Sequence, residues 1–188
     1  LKSNKIVITG GPGTGKTSVI NGLEKAGYKC FHEVIREITL EAKNSGDLQS
    51  NETNPIALVS DAKSFNQKLL VGRINHYKES LKVPNKVVFF DRGIPDVLAY
   101  MDYFNQEYDE NYIHATKNNK YDTIFLLPMW EQIYTTDNER FESYEEGVAI
   151  EKYLIENYTK CGYKINIIPK DTIENRIEYI LKELKVAY

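Results

Sequence analysis

At 188 residues, with 41% hydrophobic and 27% charged side chains, the chain has the length and balance of a folded domain with a full core, not of a disordered segment. A net charge of −3 provides no basic field for collecting nucleic-acid phosphates, and no apolar run reaches the length of a membrane span. Cys30 and Cys161 stand far apart without metal-ligand spacing, and read as free, buried thiols of a reducing compartment. The chain begins Leu1-Lys2-Ser3-Asn4 and enters a strand at once, so no signal peptide is expected and the cytoplasm is the expected location.

The first element is a short apolar strand, Ile6-Val7-Ile8, that runs into Gly10-x-x-x-x-Gly15-Lys16-Thr17 and then into an amphipathic helix carrying Val19, Ile20, Leu23 and Ala26. Strand, glycine-rich loop and helix in that order is the context a Walker A phosphate loop requires. The candidate cradle is Gly10, Gly11, Pro12, Gly13, Thr14, Gly15, Lys16 and Thr17, with Ser18 next to them. Its glycines let successive N–H groups face one anion, and the helix N-terminus adds partial positive charge. Lys16 is placed to reach the β- and γ-phosphates of ATP, and the Thr17 hydroxyl to ligate Mg²⁺.

Gly27 stops that helix, and residues 28–32 (Tyr-Lys-Cys-Phe-His) read as a second strand. A helix is expected over about 33–43, a polar loop over 44–54, and a long helix over 55–81 with Pro55 in its first turn. Val87-Val88-Phe89-Phe90-Asp91 is a continuous apolar run ending in an acid, the pattern of a strand buried on both faces of a parallel sheet. Pro95 opens a helix to about 104, residues 121–127 form a fourth strand stopped by Pro128, and residues 130–144 are polar and mixed. A helix over 145–160, a strand over 163–168 stopped by Pro169, and a final helix capped by Asp171-Thr172 complete the chain. Strands alternate with helices throughout, which predicts one α/β domain over 1–188: a five-stranded parallel sheet with helices on both faces and the strand carboxyl ends on one edge.

Ligands bind at that edge. Asp91 ends the third strand there, where a carboxylate can hold Mg²⁺ or accept a proton, or merely cap the turn before Pro95. Arg92 is read either as a phosphate contact or as a surface arginine. Glu33 ends the second strand on the same edge, with Arg36 and Glu37 one turn on, while His32 is read as a strand residue. Asp137-Asn138-Glu139-Arg140 lies between the fourth strand and the next helix, where a lid can carry an arginine over a γ-phosphate. Asn119-Lys120-Tyr121-Asp122 matches a guanine-reading N-K-x-D pattern by letter, but precedes its strand and so falls at the wrong end of the sheet.

With these residues placed, the chain resembles the NadR-type AAA-domain family of P-loop NTPases, kinase-like relatives of ribosylnicotinamide, nucleoside and nucleotide kinases. The resemblance is carried by Thr9 to Thr17, by His32-Glu33-Val34-Ile35-Arg36-Glu37, by Phe90-Asp91-Arg92-Gly93-Ile94-Pro95-Asp96, by Asp137 to Arg140, and by Gly162-Tyr163 through Ile168-Pro169 to Arg176. It implies a nucleotide-kinase-like fold with a short lid at Arg140, ATP and Mg²⁺ as cofactors, and an adenine-side contact at Pro169-Lys170-Asp171-Thr172. It also implies an acceptor pocket near Glu33, Arg36 and Asp91. Arg92 stands where a hydrolytic motor carries a glutamate, which argues against an AAA+ motor. The expected activity is transfer of the ATP γ-phosphate to a small-molecule acceptor, with Lys16, Asp91, Glu33 and Arg140 as the catalytic set. The alternative is a nucleotide-binding regulator acting through a protein partner. Two carboxylates facing one phosphate loop favour the first, since they suit an acceptor hydroxyl.

Overall fold

Side-chain alternation along three central strands decides the layering. In β1 (Asn4–Gly10), Ile6 and Ile8 point to one face and Val7 to the other; in β3 (Val87–Asp91), Val87 and Phe89 oppose Val88 and Phe90; in β4 (Thr123–Leu127), Phe125 and Leu127 oppose Ile124 and Leu126. Both faces are apolar, so both must be covered. The computed structural model describes residues 3–35, 62–134 and 142–186. With β2 (Lys29–Phe31) and β5 (Ile165–Ile167), the strands form one parallel sheet in the order β2-β3-β1-β4-β5.

One face is closed by α1 (Lys16–Lys25) and α6 (Ile173–Glu183), whose Val19, Ile20, Leu23, Ile177, Ile180 and Leu181 join Ile6, Ile8, Val87, Phe89, Phe125 and Leu127. The other face is closed by α3 (Ile94–Tyr103) and α5 (Tyr144–Lys160), with Ala99, Ile150, Leu154 and Tyr158 against Val7, Phe90, Ile124 and Leu126. Outside α3 a second small core joins α2 (Ala62–Ser80), α4 (Glu110–Asn118) and Val34.

Several expectations shift at their edges. The second and fifth strands are three residues each, shorter than the apolar runs, because each lies at a sheet edge and pairs with one neighbour only. Strand β2 ends at Phe31, so His32 lies beyond it and meets Glu24 at the surface at 3.1 Å. Helix α4 has no counterpart in the sequence reading. Its surface is polar and only Tyr112, Ala115 and Thr116 are buried, too sparse a stripe to read, though Asp109 caps it by accepting from Asn111 N at 2.9 Å. Ser143 caps α5 through a reciprocal pair with Glu146, and Thr172 caps α6. Cys30 is buried as expected, whereas Cys161 is half-buried; both are free thiols. The helix over 33–43, the loop over 44–54 and the first turns of the long helix fall largely or wholly outside the described residues.

Asp122 of the N-K-x-D look-alike sits at the opposite edge from the phosphate loop, where it accepts from Lys5 N at 2.8 Å and pairs with Lys5 Nζ at 3.1 Å. It is a structural clamp on the start of β1.

Candidate functional site

The loop between β1 and α1 adopts the backbone that its glycines permit. Gly13 has φ +72° and Gly15 φ +87°, the left-handed region that disfavours side chains. A side chain at Gly13 would also strike the Tyr134 ring, 2.8 Å from the position of its Cβ. Thr14 Oγ1 donates to Gly11 O at 2.9 Å, and the buried Lys16 Nζ donates to the same carbonyl at 2.6 Å. No carboxylate lies within ion-pair distance of Lys16 among the described residues. Burial and the nearby Arg92 charge lower its pKa to about 7, against the pull of Asp91 and Glu33. A buried ammonium tied only to its own loop is a cation whose partner has to come from a ligand.

The register Ile8↔Asp91 puts the end of β3 beside the loop. Asp91 is buried, and its Oδ1 has no hydrogen-bond partner among the described residues. Burial raises its pKa to about 6, helped by the Glu33 charge and opposed by Lys16 and Arg92. Among the described residues no group of three or more His, Cys, Asp or Glu side chains gathers to hold a metal. An orphaned carboxylate oxygen beside a phosphate loop fits Mg²⁺, which takes one or two carboxylates and completes its shell with phosphate oxygens and water.

Arg92 is not the surface arginine of one of the two readings. It is neither a surface residue nor open to a phosphate through its Nε. It is buried, with φ +72°, and its Nε donates to Glu33 Oε1 at 2.6 Å. Its NH1 reaches Gly10 O at 3.3 Å and Asp96 Oδ1 at 3.4 Å, and its guanidinium lies over the Tyr100 ring at 5.3 Å. Burial alone would raise the Glu33 pKa, but Arg92, Lys16 and Arg73 hold the carboxyl below its ordinary value.

Asp96, fully buried in the first turn of α3, anchors this arrangement. It accepts from Thr9 Oγ1 at 2.6 Å, Gly93 N at 2.8 Å and Tyr158 OH at 2.5 Å, besides Arg92. Thr9 precedes the phosphate loop, Gly93 follows the strained Arg92, and Tyr158 belongs to α5. One carboxylate therefore ties the loop, the β3 turn and a covering helix together. Arg73 of α2 joins the knot by donating from NH1 to Gly93 O at 2.7 Å, while its buried Nε has no partner. The Gly-x-Pro-Asp spacing signals the cap that Asp96 makes, but nothing local signals its partners Thr9 and Tyr158.

A second buried cation, Arg176 of α6, meets the far side of the loop. Its NH1 donates to Thr14 O at 2.9 Å, its guanidinium lies 5.0 Å from the Trp130 ring, and Nε and NH2 have no hydrogen-bond partner among the described residues. Trp130 leads the turn Glu131–Ile133 that passes over Gly13 and Gly15. The structure thus brings Lys16, Asp91 and Glu33 to one edge. Arg36, Glu37 and the segment 137–140, including Arg140, lie outside the described residues.

A family model described as AAA domain (AAA_28) matches residues 5–176. Among curated proteins, none matches the chain by sequence. The fold is that of NadR protein in complex with NAD and AMP-PNP, at TM-score 0.70 and 14% identity, covering 99% of this chain and 51% of that one. The chain therefore spans about half the length of NadR. Deoxyadenosine kinase from M. mycoides with bound dATP is similar at TM-score 0.65 and 18% identity, over 96% of this chain and 99% of that one. Thymidylate kinase from Ehrlichia chaffeensis is similar at TM-score 0.65 and 16% identity, over 98% of this chain and all of the other. The shared architecture is the P-loop nucleotide-kinase fold.

Proposed function

The chain belongs to the AAA_28 family of AAA domains, and from that membership we propose that it is a Mg²⁺-dependent phosphotransferase. It moves the γ-phosphate of ATP to a nucleoside-, nucleotide- or metabolite-type acceptor. The observation that carries this reading is the meeting of an uncompensated buried Lys16, an orphaned Asp91 oxygen and the ionised Glu33 on one edge of the sheet.

Roles follow from chemistry. The backbone of Gly10 to Thr17 binds the triphosphate, and Lys16 supplies the charge that its oxygens need. Thr17 and Asp91 would hold Mg²⁺, which when bound offsets phosphate charge and orients the leaving group. Glu33 faces the acceptor. Arg140, by its place between β4 and α5, serves as the lid arginine. AMP-PNP bound in NadR and dATP bound in deoxyadenosine kinase support a nucleotide ligand, and the ATP analogue supports ATP as donor. The resemblance puts the base near Pro169 to Thr172, beside the Arg176–Trp130 pair. No helix among the described residues is long and apolar enough to cross a membrane, and two free thiols suit the cytoplasm.

The deciding experiment is ADP release from ATP and Mg²⁺ across a metabolite panel. Acceptor-dependent release supports the proposal. Tight ATP binding with no acceptor effect would favour a regulatory ATPase instead.

A further inference from the structure

On the premise that this chain takes ATP, as proposed above, we infer that the purine base stacks on the Arg176 guanidinium, and that the indole of Trp130 holds that place until the base displaces it. Arg176 is a buried cation against the phosphate loop, with NH1 donating to Thr14 O at 2.9 Å. Its Nε and NH2 are buried too, and have no hydrogen-bond partner among the described residues. Burial pulls its pKa down, and the Asp171 charge opposes this without cancelling it. The Trp130 ring lies 5.0 Å from the guanidinium. A flat cation over an aromatic face is a favourable pair. Here the pair is incomplete. An indole has one N–H donor and no acceptor, so it offsets the charge but receives neither of the unpartnered N–H groups. A purine nucleoside supplies both parts: a fused two-ring face for the guanidinium plane, and ring nitrogens and sugar oxygens that accept.

At 5.0 Å the indole and the guanidinium are in contact and leave no room for a third ring between them. A base therefore reaches Arg176 only by taking the place of Trp130. The turn that carries Trp130 is lightly held. Met129 before it is buried, and its N donates to Glu151 Oε2 at 2.5 Å, which fixes the end of β4. Beyond that point Trp130 is half-buried, Glu131 and Gln132 are exposed, and the turn Glu131–Ile133 buries no residue. Trp130 Nε1 donates to Gln132 Oε1 at 3.0 Å, a bond that travels with the turn. Ile133 and Tyr134 lie over Gly15 and Gly13, so the segment that covers Arg176 also lies over the phosphate loop.

This makes Trp130 a competitor of the base. The apparent affinity for ATP is then the intrinsic affinity reduced by the fraction of molecules in which the indole stands away from Arg176. Inorganic tripolyphosphate carries the phosphates without a base, makes no use of the guanidinium face, and does not compete. A base stacked on the outer face of Trp130 would have the opposite consequence, because the indole would then add to affinity.

The test uses the full chain with Mg²⁺ and compares ATP with inorganic tripolyphosphate. Trp130 is the only tryptophan of the chain, so indole emission reports this place alone. ATP should make Trp130 more open to quenching by acrylamide, and tripolyphosphate should not. By calorimetry, Trp130→Ala should bind ATP about three- to tenfold more tightly, with tripolyphosphate affinity within about twofold of the unsubstituted chain. Weaker ATP binding in that variant would show that the base stacks on Trp130 itself, and would overturn the inference. So would quenching in the unsubstituted chain that ATP leaves unchanged or lowers, a measurement that depends on no variant folding. Arg176→Lys keeps the charge and loses the flat face, so ATP affinity should fall about tenfold while tripolyphosphate affinity stays within about threefold. Equal losses for both ligands would show that Arg176 acts only on the loop, and would overturn the inference as well. ATP that displaces Trp130 yet releases no ADP with any acceptor supports the inference and removes the phosphotransferase reading. ATP that does not bind removes both.

Discussion

The two sides of the phosphate loop treat buried charge in opposite ways. On the proposed acceptor side, Glu33, Arg92 and Asp96 form a closed set, with Asp96 alone accepting from Thr9, Gly93, Tyr158 and Arg92. On the proposed donor side, among the described residues, Lys16 bonds only its own loop, Asp91 Oδ1 bonds nothing, and two nitrogens of Arg176 are unpaired. A closed set is rigid before any ligand arrives, and orients what it touches. An open set stores the desolvation cost of its ions until a polyanion and a cation relieve it. Under the proposed function, the difference separates the part of the site that positions from the part that binds.

The comparison is broken most severely by Asp91→Asn. If Asp91 belongs to the open set, acceptor-dependent ADP release should fall about 10²–10⁴-fold, and the folded state should gain about 1–3 kcal/mol at pH 7, because an uncompensated buried carboxylate has been removed. Activity and thermal denaturation measured on one preparation check both signs. A loss of stability would place Asp91 in the closed set.

Asp96→Asn is the matching change on the other side. It removes the anion that four donors share, so it should cost about 3–5 kcal/mol by denaturant titration. A change below about 1 kcal/mol would show that Asp96 is not the anchor described above.

Lys16→Ala should reduce triphosphate affinity by about 10²-fold, the scale of one or two charge-assisted hydrogen bonds. Far-ultraviolet circular dichroism should be unchanged, since Lys16 Nζ bonds only Gly11 O and Thr14 Oγ1. Unchanged calorimetric affinity would refute the phosphate-loop assignment.

The smallest effect is on protons. With Lys16 at about 7 in the empty protein, a bound triphosphate raises its pKa and draws in a proton. Affinity should therefore be full below pH 7 and decline as pH rises above it, by up to about tenfold per unit. The same lowered pKa gives a stability penalty that is present below pH 7 and fades from there toward 10.5, the ordinary lysine value. Calorimetry at pH 8 in two buffers of different ionisation enthalpy measures the uptake. Equal heats in both buffers would show that Lys16 does not titrate on binding.

How much of this was legible in the sequence follows the range of each interaction. The strand, glycine-rich loop and helix around Gly10 to Thr17 were legible, because that local form needs only eight consecutive residues and their backbone angles. The strand-ending Asp91 and the β1–β3–β4 core were legible from continuous apolar runs. Helix α4 was not, since its packing uses three buried positions in a polar stretch. Arg92 was legible as a candidate, but its burial and its ion pair were not. Its partner Glu33 is 59 residues away, and nothing in the letters Asp-Arg-Gly says that the side chain turns back to it.

By itself, the sequence determined the alternation of strands and helices, apart from α4, and the strand, glycine-rich loop and helix that meet around Gly10 to Thr17. Each of these depends on local propensity, hydrophobic period or a short motif. Only the tertiary structure decided which charges are spent and which are open. Arg176 reaches Thr14 across 162 residues, and Tyr158 reaches Asp96 across 62. A buried charge is satisfied or left waiting by whatever the fold packs beside it, and that neighbour is set by the crossing of helices and strands rather than by any adjacent residue.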